Sequence, residues 1–180
     1  MTSSGDWNSS RRNDNVPQKK ALSGYTYREY VRGRDAITVQ IGSGSTPLRF
    51  VEEIYEENVK TGPSPNITFV TNNRAVESLF MDQQLSGGTN LKHLQLSSIG
   101  GTLHPFLNAT CGEIAAHMIQ DAVLCPDIVV MGAYGVRFSA GTINLFYWFD
   151  TELTVQAALA TRPTGHRIVL IDECDCSPGA

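Results

Sequence analysis

The sequence predicts an α/β fold in which helices cover both faces of an open, mostly parallel sheet. Short runs rich in β-branched residues alternate with stretches whose apolar residues recur at helical spacing, which is the pattern of βαβ units. The predicted strands are residues 37–41, 67–70, 91–96, 127–131 and 167–171, and the predicted helices are 26–31, 47–57, 74–81, 113–123 and 151–160. The stretch from Gly132 to Asp150 follows neither pattern. We expect it to form a long loop or a short hairpin.

Length and composition limit the classes of protein that the chain can belong to. Its 180 residues suffice for one buried core, and 41% hydrophobic with 18% charged residues is ordinary for a globular protein. A net charge of -4 without a basic face argues against direct contact with nucleic acid. No apolar run approaches the roughly 20 residues of a membrane span, and the N-terminus lacks the apolar centre of a signal peptide. We therefore expect a cytoplasmic protein with no membrane contact.

The chain divides into a polar leader and one domain. Residues 1–22 are almost devoid of apolar side chains, so we expect them to be disordered, with a single α/β domain over residues 23–180. The four cysteines, Cys111, Cys125, Cys174 and Cys176, are expected to be free thiols in a reducing compartment. Only Cys174 and Cys176 are close in sequence, and no histidine or second cysteine pair completes a zinc pattern. We expect neither a metal nor a cofactor.

The turn after the first predicted strand carries the clearest binding signal. It reads Gly42-Ser43-Gly44-Ser45-Thr46 and is followed by Pro47, which suits the first turn of a helix. Glycines allow a ligand to approach the backbone closely, and the amides at a helix N-terminus favour an anion such as phosphate. The same residues also fit an ordinary capped βα turn, and they match neither a Walker loop nor a dinucleotide-binding fingerprint.

Small or polar residues also follow the next three predicted strands. Carboxyl ends of parallel strands share one edge of a sheet, where ligands of such folds bind. We therefore expect one cleft formed by these residues together with the turn; they are Thr71, Asn72 and Asn73, then Gly100 and Gly101, then Gly132, Tyr134 and Gly135.

Taken in order, these motifs resemble the sugar-phosphate sensor domain of DeoR-type transcriptional regulators. That domain is related in fold to ribose-5-phosphate isomerase, glucosamine-6-phosphate deaminase and CoA transferases. The matching segments are residues 37–46, 68–73, 99–105, 127–141 and 152–172. The resemblance implies a Rossmann-like sheet, a small phosphorylated sugar or similar anionic metabolite at the turn, Glu152 as a carboxylate in the cleft, and a homo-oligomer.

The chain also departs from that family. It has Gly42 where the family usually has Asp, and Asp175 where a lysine follows the Asp of the final strand, here Asp172. The missing lysine would pair with phosphate; Arg49, Arg137 and Arg167 are the residues that could replace it. Residues 1–36 are too short and polar for the family's helix-turn-helix, and the family domain extends further at its C-terminus, so we expect a shortened or truncated relative.

Three functions stay open at this level. The first is a regulatory module that binds a phosphosugar without a DNA-binding motif of its own, the second an isomerase or deaminase, and the third a scaffold without a ligand. The isomerase pattern has an Asp-Glu pair where this chain has Tyr134 and Gly135. The remaining acid–base candidates are Glu152, Asp172 and His104. We expect binding rather than catalysis.

Overall fold

The computed structural model describes residues 14–61, 65–86, 92–121 and 125–172. In chain order its elements are α1 (Val16–Thr26), a π-helical turn (Tyr27–Val31), β1 (Ala36–Ile41), α2 (Ser45–Thr61), β2 (Asn66–Thr71), α3 (Arg74–Leu85), β3 (Leu94–Ser98), β4 (Thr102–His104), β5 (Ala109–Cys111), α4 (Gly112–Asp121), β6 (Ile128–Gly132), β7 (Gly135–Ser139), β8 (Thr142–Phe146), α5 (Asp150–Thr161) and β9 (His166–Leu170). None of the helices in this described part of the chain is long and apolar enough to cross a membrane.

The central sheet confirms the predicted fold class. Its five strands run in the order β3-β2-β1-β6-β9, and every neighbouring pair is parallel. β1 and β6 are buried on both faces, as their runs of β-branched residues require of central parallel strands. The strand order reverses between β1 and β6, so the carboxyl ends of these two strands flank the crevice where such folds bind ligands.

Apolar side chains form one core on each face of the sheet. On one face, side chains of β1, β2 and β3 pack against α2 and α3, with Phe50 and Ile54 fully buried. On the other face, Val129 and Met131 of β6 pack with residues of α4 and α5. Two helical layers around one sheet therefore account for the apolar periodicity of the sequence.

Part of the stretch 1–22, which the sequence predicts to be disordered, is helical. Residues 16–22 belong to α1, which packs on α2, and residues 1–13 lie outside the described residues. The buried residues of α1 are Lys19, Ser23, Gly24 and Thr26. Since these are polar or small, α1 has no apolar stripe that would reveal it in the sequence. The helix predicted over 26–31 is the π-helical turn.

Two hairpins flank the carboxyl edge of the sheet. β7 and β8 form an antiparallel pair within the stretch 132–150, so the hairpin expected there as one alternative is confirmed. β4 and β5 form a second antiparallel pair that the sequence analysis does not predict. This second hairpin lies against the turn after β2, because Thr110 N donates to Asn72 O at 2.9 Å and Asn73 forms a bridge with Ala109.

Candidate functional site

The turn from Gly42 to Thr46 lies at the reversal point of the sheet. Gly42 N donates to Val130 O at 2.9 Å, which fixes the start of the turn against β6. Gly44 has φ +112°, a backbone conformation that side chains with a Cβ rarely adopt, and α2 begins at the next residue. The first amides of α2 have no carbonyl partner within the helix, so they and the helix dipole create a positive potential at the turn. Ser43 and Thr46 are buried there.

Thr71 and Asn73 hold this turn in place. Thr71 Oγ1 donates to Ile41 O at 2.8 Å and accepts from Asn73 N at 3.0 Å. The Asn73 amide donates to Gly42 O at 3.2 Å and to Gly44 O at 3.0 Å, while its oxygen caps α3 by accepting from Ala75 N. Because these bonds use the polar atoms of both side chains, the structure gives them a supporting role; direct ligand contact remains a prediction.

Glu152 and Gln156 of α5 reach the turn from the other side. Gln156 Nε2 donates to Ser43 Oγ at 3.0 Å, and Ser43 Oγ donates to Glu152 Oε1 at 3.1 Å. All three side chains are buried. Gln156 was not among the predicted site residues, although its position four residues after Glu152 places both on one face of a helix.

Burial raises the pKa of Glu152 to about 7, although hydrogen bonds from Ser43 and Gln156 oppose that rise. Its neighbours include Cys111, whose pKa burial raises to about 11, with a further contribution from the Glu152 charge. Burial also raises the pKa of Tyr147, again helped by Glu152. The site therefore holds a carboxyl group that keeps its proton to a higher pH than an exposed glutamate does, because burial disfavours its charged form.

A lysine that the sequence analysis assigned to the leader lies at the N-terminus of α2. Lys19 Nζ is 3.4 Å from Asp172 Oδ2 and 3.3 Å from Ser45 Oγ, and both charged side chains are almost fully buried. Asn15 Nδ2 also donates to Asp172 Oδ1, at 3.3 Å. Asp172 thus neutralises a cation beside the turn rather than standing free as an acid–base group.

The three arginines considered as replacements for the missing lysine are engaged elsewhere. Arg49 pairs with Glu52 and Glu56 on α2. Arg137 lies 5.6 Å above the Phe146 ring. Arg167 donates to Leu159 O and Arg162 O. No sequence signal connects Lys19 to the turn, because the connection depends on how α1 packs.

The remaining predicted site residues differ in whether they contact the turn. Gly132 faces the turn so closely that a Cβ there would lie 3.2 Å from Pro47 Cδ and 3.8 Å from Ser43 O. Tyr134 and Gly135 continue from it into β7, and Tyr134 N donates to Phe146 O. Gly100 and Gly101 pack on α4, where a Cβ on Gly101 would lie 2.9 Å from Ala115 Cβ. Packing accounts for these two glycines, and ligand contact by them remains a prediction.

His104 lies in an aromatic group rather than beside a carboxylate. Its ring centroid is 4.4 Å from that of Phe149 and 6.2 Å from that of Phe106. Phe149 directly precedes α5, the helix that carries Glu152. Of the other two acid–base candidates, Glu152 contacts the turn through Ser43, and Asp172 is linked to the turn through Lys19.

Three buried acceptor atoms near the turn have no hydrogen-bond partner within the described residues: Glu152 Oε2, Gln156 Oε1 and Asn72 Oδ1. Asn72 is joined to this region through its amide, which donates to Thr110 O at 2.8 Å, next to Cys111. Buried acceptors normally find donors, so the three together are suited to a ligand that carries several hydroxyl groups. Within the same part of the chain, no three His, Cys, Asp or Glu residues cluster as a metal site.

The solved structures that are similar in fold include ribose-5-phosphate isomerases. One is D-ribose-5-phosphate isomerase in complex with phospho-erythronic acid, with TM-score 0.57 and 21% identity over 91% of this chain and 55% of that one. Another is ribose 5-phosphate isomerase A from Methanocaldococcus jannaschii, with TM-score 0.58 and 14% identity over 91% of this chain and 56% of that one. The chain thus spans little more than half the length of these proteins. The sequence matches no protein-family model and no curated protein.

Proposed function

We propose that the protein binds a small phosphorylated sugar, with the phosphate on the turn from Gly42 to Thr46. The proposal rests on one observation. A turn suited to bind an anion lies near buried oxygen atoms that can accept hydrogen bonds from the hydroxyl groups of a ligand. At one end, the N-terminus of α2 supplies positive potential, and the Lys19 ammonium, which is paired with Asp172 and lies beside Ser45, supplies a charged hydrogen-bond donor. Glu152 Oε2, Gln156 Oε1 and Asn72 Oδ1 supply acceptors for hydroxyl hydrogens at the other.

The fold is consistent with this assignment. The similar solved structures are ribose-5-phosphate isomerases, and one of them holds phospho-erythronic acid. A regulatory role like that of DeoR-type sensor domains is the use that we propose for this binding, since Tyr134 and Gly135 stand where the isomerase pattern has acids. Cytoplasmic location, homo-oligomer formation and lack of direct contact with nucleic acid stay predictions from the sequence.

Calorimetric titration with ribose 5-phosphate tests the proposal. We expect Gly44→Val to abolish binding, because a β-branched residue at φ +112° must reshape the turn. Gly33→Val is the matched control, since Gly33 also has a positive φ, of +81°, but lies in the turn before β1. Circular dichroism establishes that both variants fold. Unchanged affinity in folded Gly44→Val, or equal loss in both variants, would show that the turn is not the phosphate seat.

Should Gly44→Val fail to fold, Lys19→Met/Asp172→Leu provides the second measurement, because it removes the ammonium group together with its buried partner and leaves the turn backbone unchanged. We expect its affinity for ribose 5-phosphate to fall at least tenfold, the scale of one charge-assisted hydrogen bond. Ligand binding by the wild-type protein should also raise its melting temperature in proportion to the logarithm of ligand concentration. An affinity that Lys19→Met/Asp172→Leu leaves unchanged would count against phosphate binding at this place.

A second candidate function, sugar-phosphate isomerisation, is favoured specifically by Glu152. A carboxylate with a pKa of about 7 is well suited to serve as a general base near neutral pH. It would take the proton from C2 of an open-chain aldose phosphate, leaving the electron pair in the C1–C2 double bond of an enediolate. Returning that proton to C1, while a proton moves from O2 to O1, gives the ketose phosphate without any other reactant.

Turnover separates the two functions. If the protein is an isomerase, ribose 5-phosphate is converted to ribulose 5-phosphate, and Glu152→Gln retains binding but loses at least a hundredfold in kcat, the scale of general-base catalysis. If it is a sensor, wild-type protein binds ribose 5-phosphate with no ketose formed over background. Turnover that survives Glu152→Gln would remove Glu152 from the role of base.

A further inference from the structure

Four consecutive aromatic residues, Phe146 to Phe149, join β8 to α5 beside the candidate site. Most of them are held by the surrounding structure. Tyr147 Oη donates to Gly132 O at 2.9 Å, and Phe149 packs on the core formed with α4 and α5. Phe146 lies under the Arg137 guanidinium. The segment is therefore fixed on both sides of Trp148.

Trp148 is the most exposed residue of this segment within the described part of the chain, with 68% of its surface accessible. Its ring centroid lies 6.3 Å from that of Tyr134, with 69° between the planes, so the two rings meet edge to face. Such a contact orients the indole ring and leaves its surface available to stack on a planar ligand.

The segment that carries Trp148 is joined to the proposed phosphate seat through Tyr147. Tyr147 is bonded to Gly132, which contacts Pro47 and Ser43 of the turn, and it is near enough to Glu152 for that charge to influence its ionisation. Trp148 comes four residues before Glu152, and Tyr134 two residues after Gly132. The segments that carry Trp148 and its neighbour Tyr134 thus lie next in sequence to residues of the site itself.

We propose that the ligand carries a planar ring that stacks on Trp148, which Tyr134 holds by its edge-to-face contact, and that its class is nucleoside 5′-monophosphate. This inference rests on the proposed function, since it uses the same seat for the phosphate. A nucleoside 5′-monophosphate is a ribose 5-phosphate with a base on C1. Its phosphate suits the turn, its ribose hydroxyls suit the buried acceptors, and its base requires an aromatic surface beyond them.

The apolar surface of the β7–β8 hairpin supplies a control. Phe138 is 72% exposed and pairs across the hairpin with Ile143, and Phe138 is two residues beyond Val136, which is buried at the base. Replacing Phe138 removes an exposed ring of similar accessibility without touching Tyr134 or the segment that precedes α5. Phe138→Ala and Trp148→Ala are therefore matched variants.

Titration of the full chain with AMP and with ribose 5-phosphate tests the inference. Stacking of one base on an aromatic side chain predicts that AMP binds roughly 5- to 150-fold more tightly than ribose 5-phosphate. Trp148→Ala should bring the Kd of AMP close to that of ribose 5-phosphate and leave the latter unchanged. Phe138→Ala should change neither. In a Trp7→Phe background, AMP should quench the fluorescence of Trp148 and ribose 5-phosphate should not.

The outcomes distinguish this inference from the proposed binding of a phosphorylated sugar, on which it rests. Equal affinities for AMP and ribose 5-phosphate in the wild-type protein would overturn the inference and leave phosphosugar binding intact. An AMP preference that survives Trp148→Ala, or falls equally in Phe138→Ala, would overturn the assignment of the ring to Trp148. Absence of binding by both compounds would overturn the inference and the proposed function together.

Discussion

The buried carboxyl group of Glu152 should make the stability of the protein depend on pH in a direction opposite to that of a typical surface carboxylate. Its pKa is raised from 4.5 to about 7, mainly by burial. The folded protein therefore binds this proton more tightly than the unfolded chain. The stabilisation is complete below pH 4.5, decreases as pH rises through 7, and is absent above it, because the unfolded chain then gains by ionising in water.

The size of this effect follows from the shift itself. Raising the pKa from 4.5 to about 7 corresponds to about 3 kcal/mol of unfolding free energy lost between pH 4 and pH 8. Glu152→Gln removes the titrating group and keeps an oxygen that can accept from Ser43. Its new amide hydrogens fall where Oε2 has no partner, which costs about 1–3 kcal/mol at every pH and so cancels in a comparison between pH values.

Urea unfolding of the wild-type protein and Glu152→Gln at pH 5 and pH 8 measures the difference. We expect the wild-type protein to lose about 2–3 kcal/mol more than the variant between these two pH values. Glu113→Gln, at an exposed position on α4, controls for the removal of one carboxylate. If wild type and Glu152→Gln show the same pH dependence, Glu152 does not ionise near neutrality, and the argument for a poised base is wrong.

Substitutions at Lys19 and Gly101 test the contacts that these two residues make. Lys19→Met should lower the free energy of unfolding in urea by about 3–5 kcal/mol, because it leaves Asp172 buried without its cation. The double variant Lys19→Met/Asp172→Leu should recover most of that loss. A loss below about 1 kcal/mol in Lys19→Met would mean that the ion pair is not formed. Gly101→Ala should cost about 1–3 kcal/mol more than Gly141→Ala in the same assay, since only the first meets Ala115 Cβ, at 2.9 Å. Both positions have positive φ, so equal losses would show that packing on α4 adds nothing.

Most of the sheet and the place of the turn could be predicted from the sequence. Strand-forming runs such as Ile37 to Ile41 alternate with stretches of helical periodicity, because strands and helices must bury one face or both. This pattern can be recognised within a short window of the sequence. The glycines and Pro47 after β1 are equally local signals, since the turn needs them whatever lies around it. The five parallel strands and the two helical layers confirm this reasoning.

The support of the turn could not be predicted in the same way. The sequence predicts Asn73 as a ligand residue because it follows a strand, and it does not reveal that the Asn73 amide binds the backbone of Gly42 and Gly44. The sequence predicts Gly101 as part of the cleft, and it does not reveal the close contact of Gly101 with α4. In each case the residue type is compatible with several partners, and only the packing of neighbouring elements selects one.

The sequence by itself determined the parallel sheet, the glycine-rich turn after β1 and the carboxyl edge at which polar residues gather, because each depends on short-range periodicity and backbone chemistry. The tertiary structure alone decided that Lys19 reaches Ser45 and that Glu152 meets Ser43, 109 positions away in the chain. Those contacts depend on how α1 and α5 pack on the sheet. Burial then sets the charge of Glu152, and no local pattern in the sequence records how deeply a side chain will be buried.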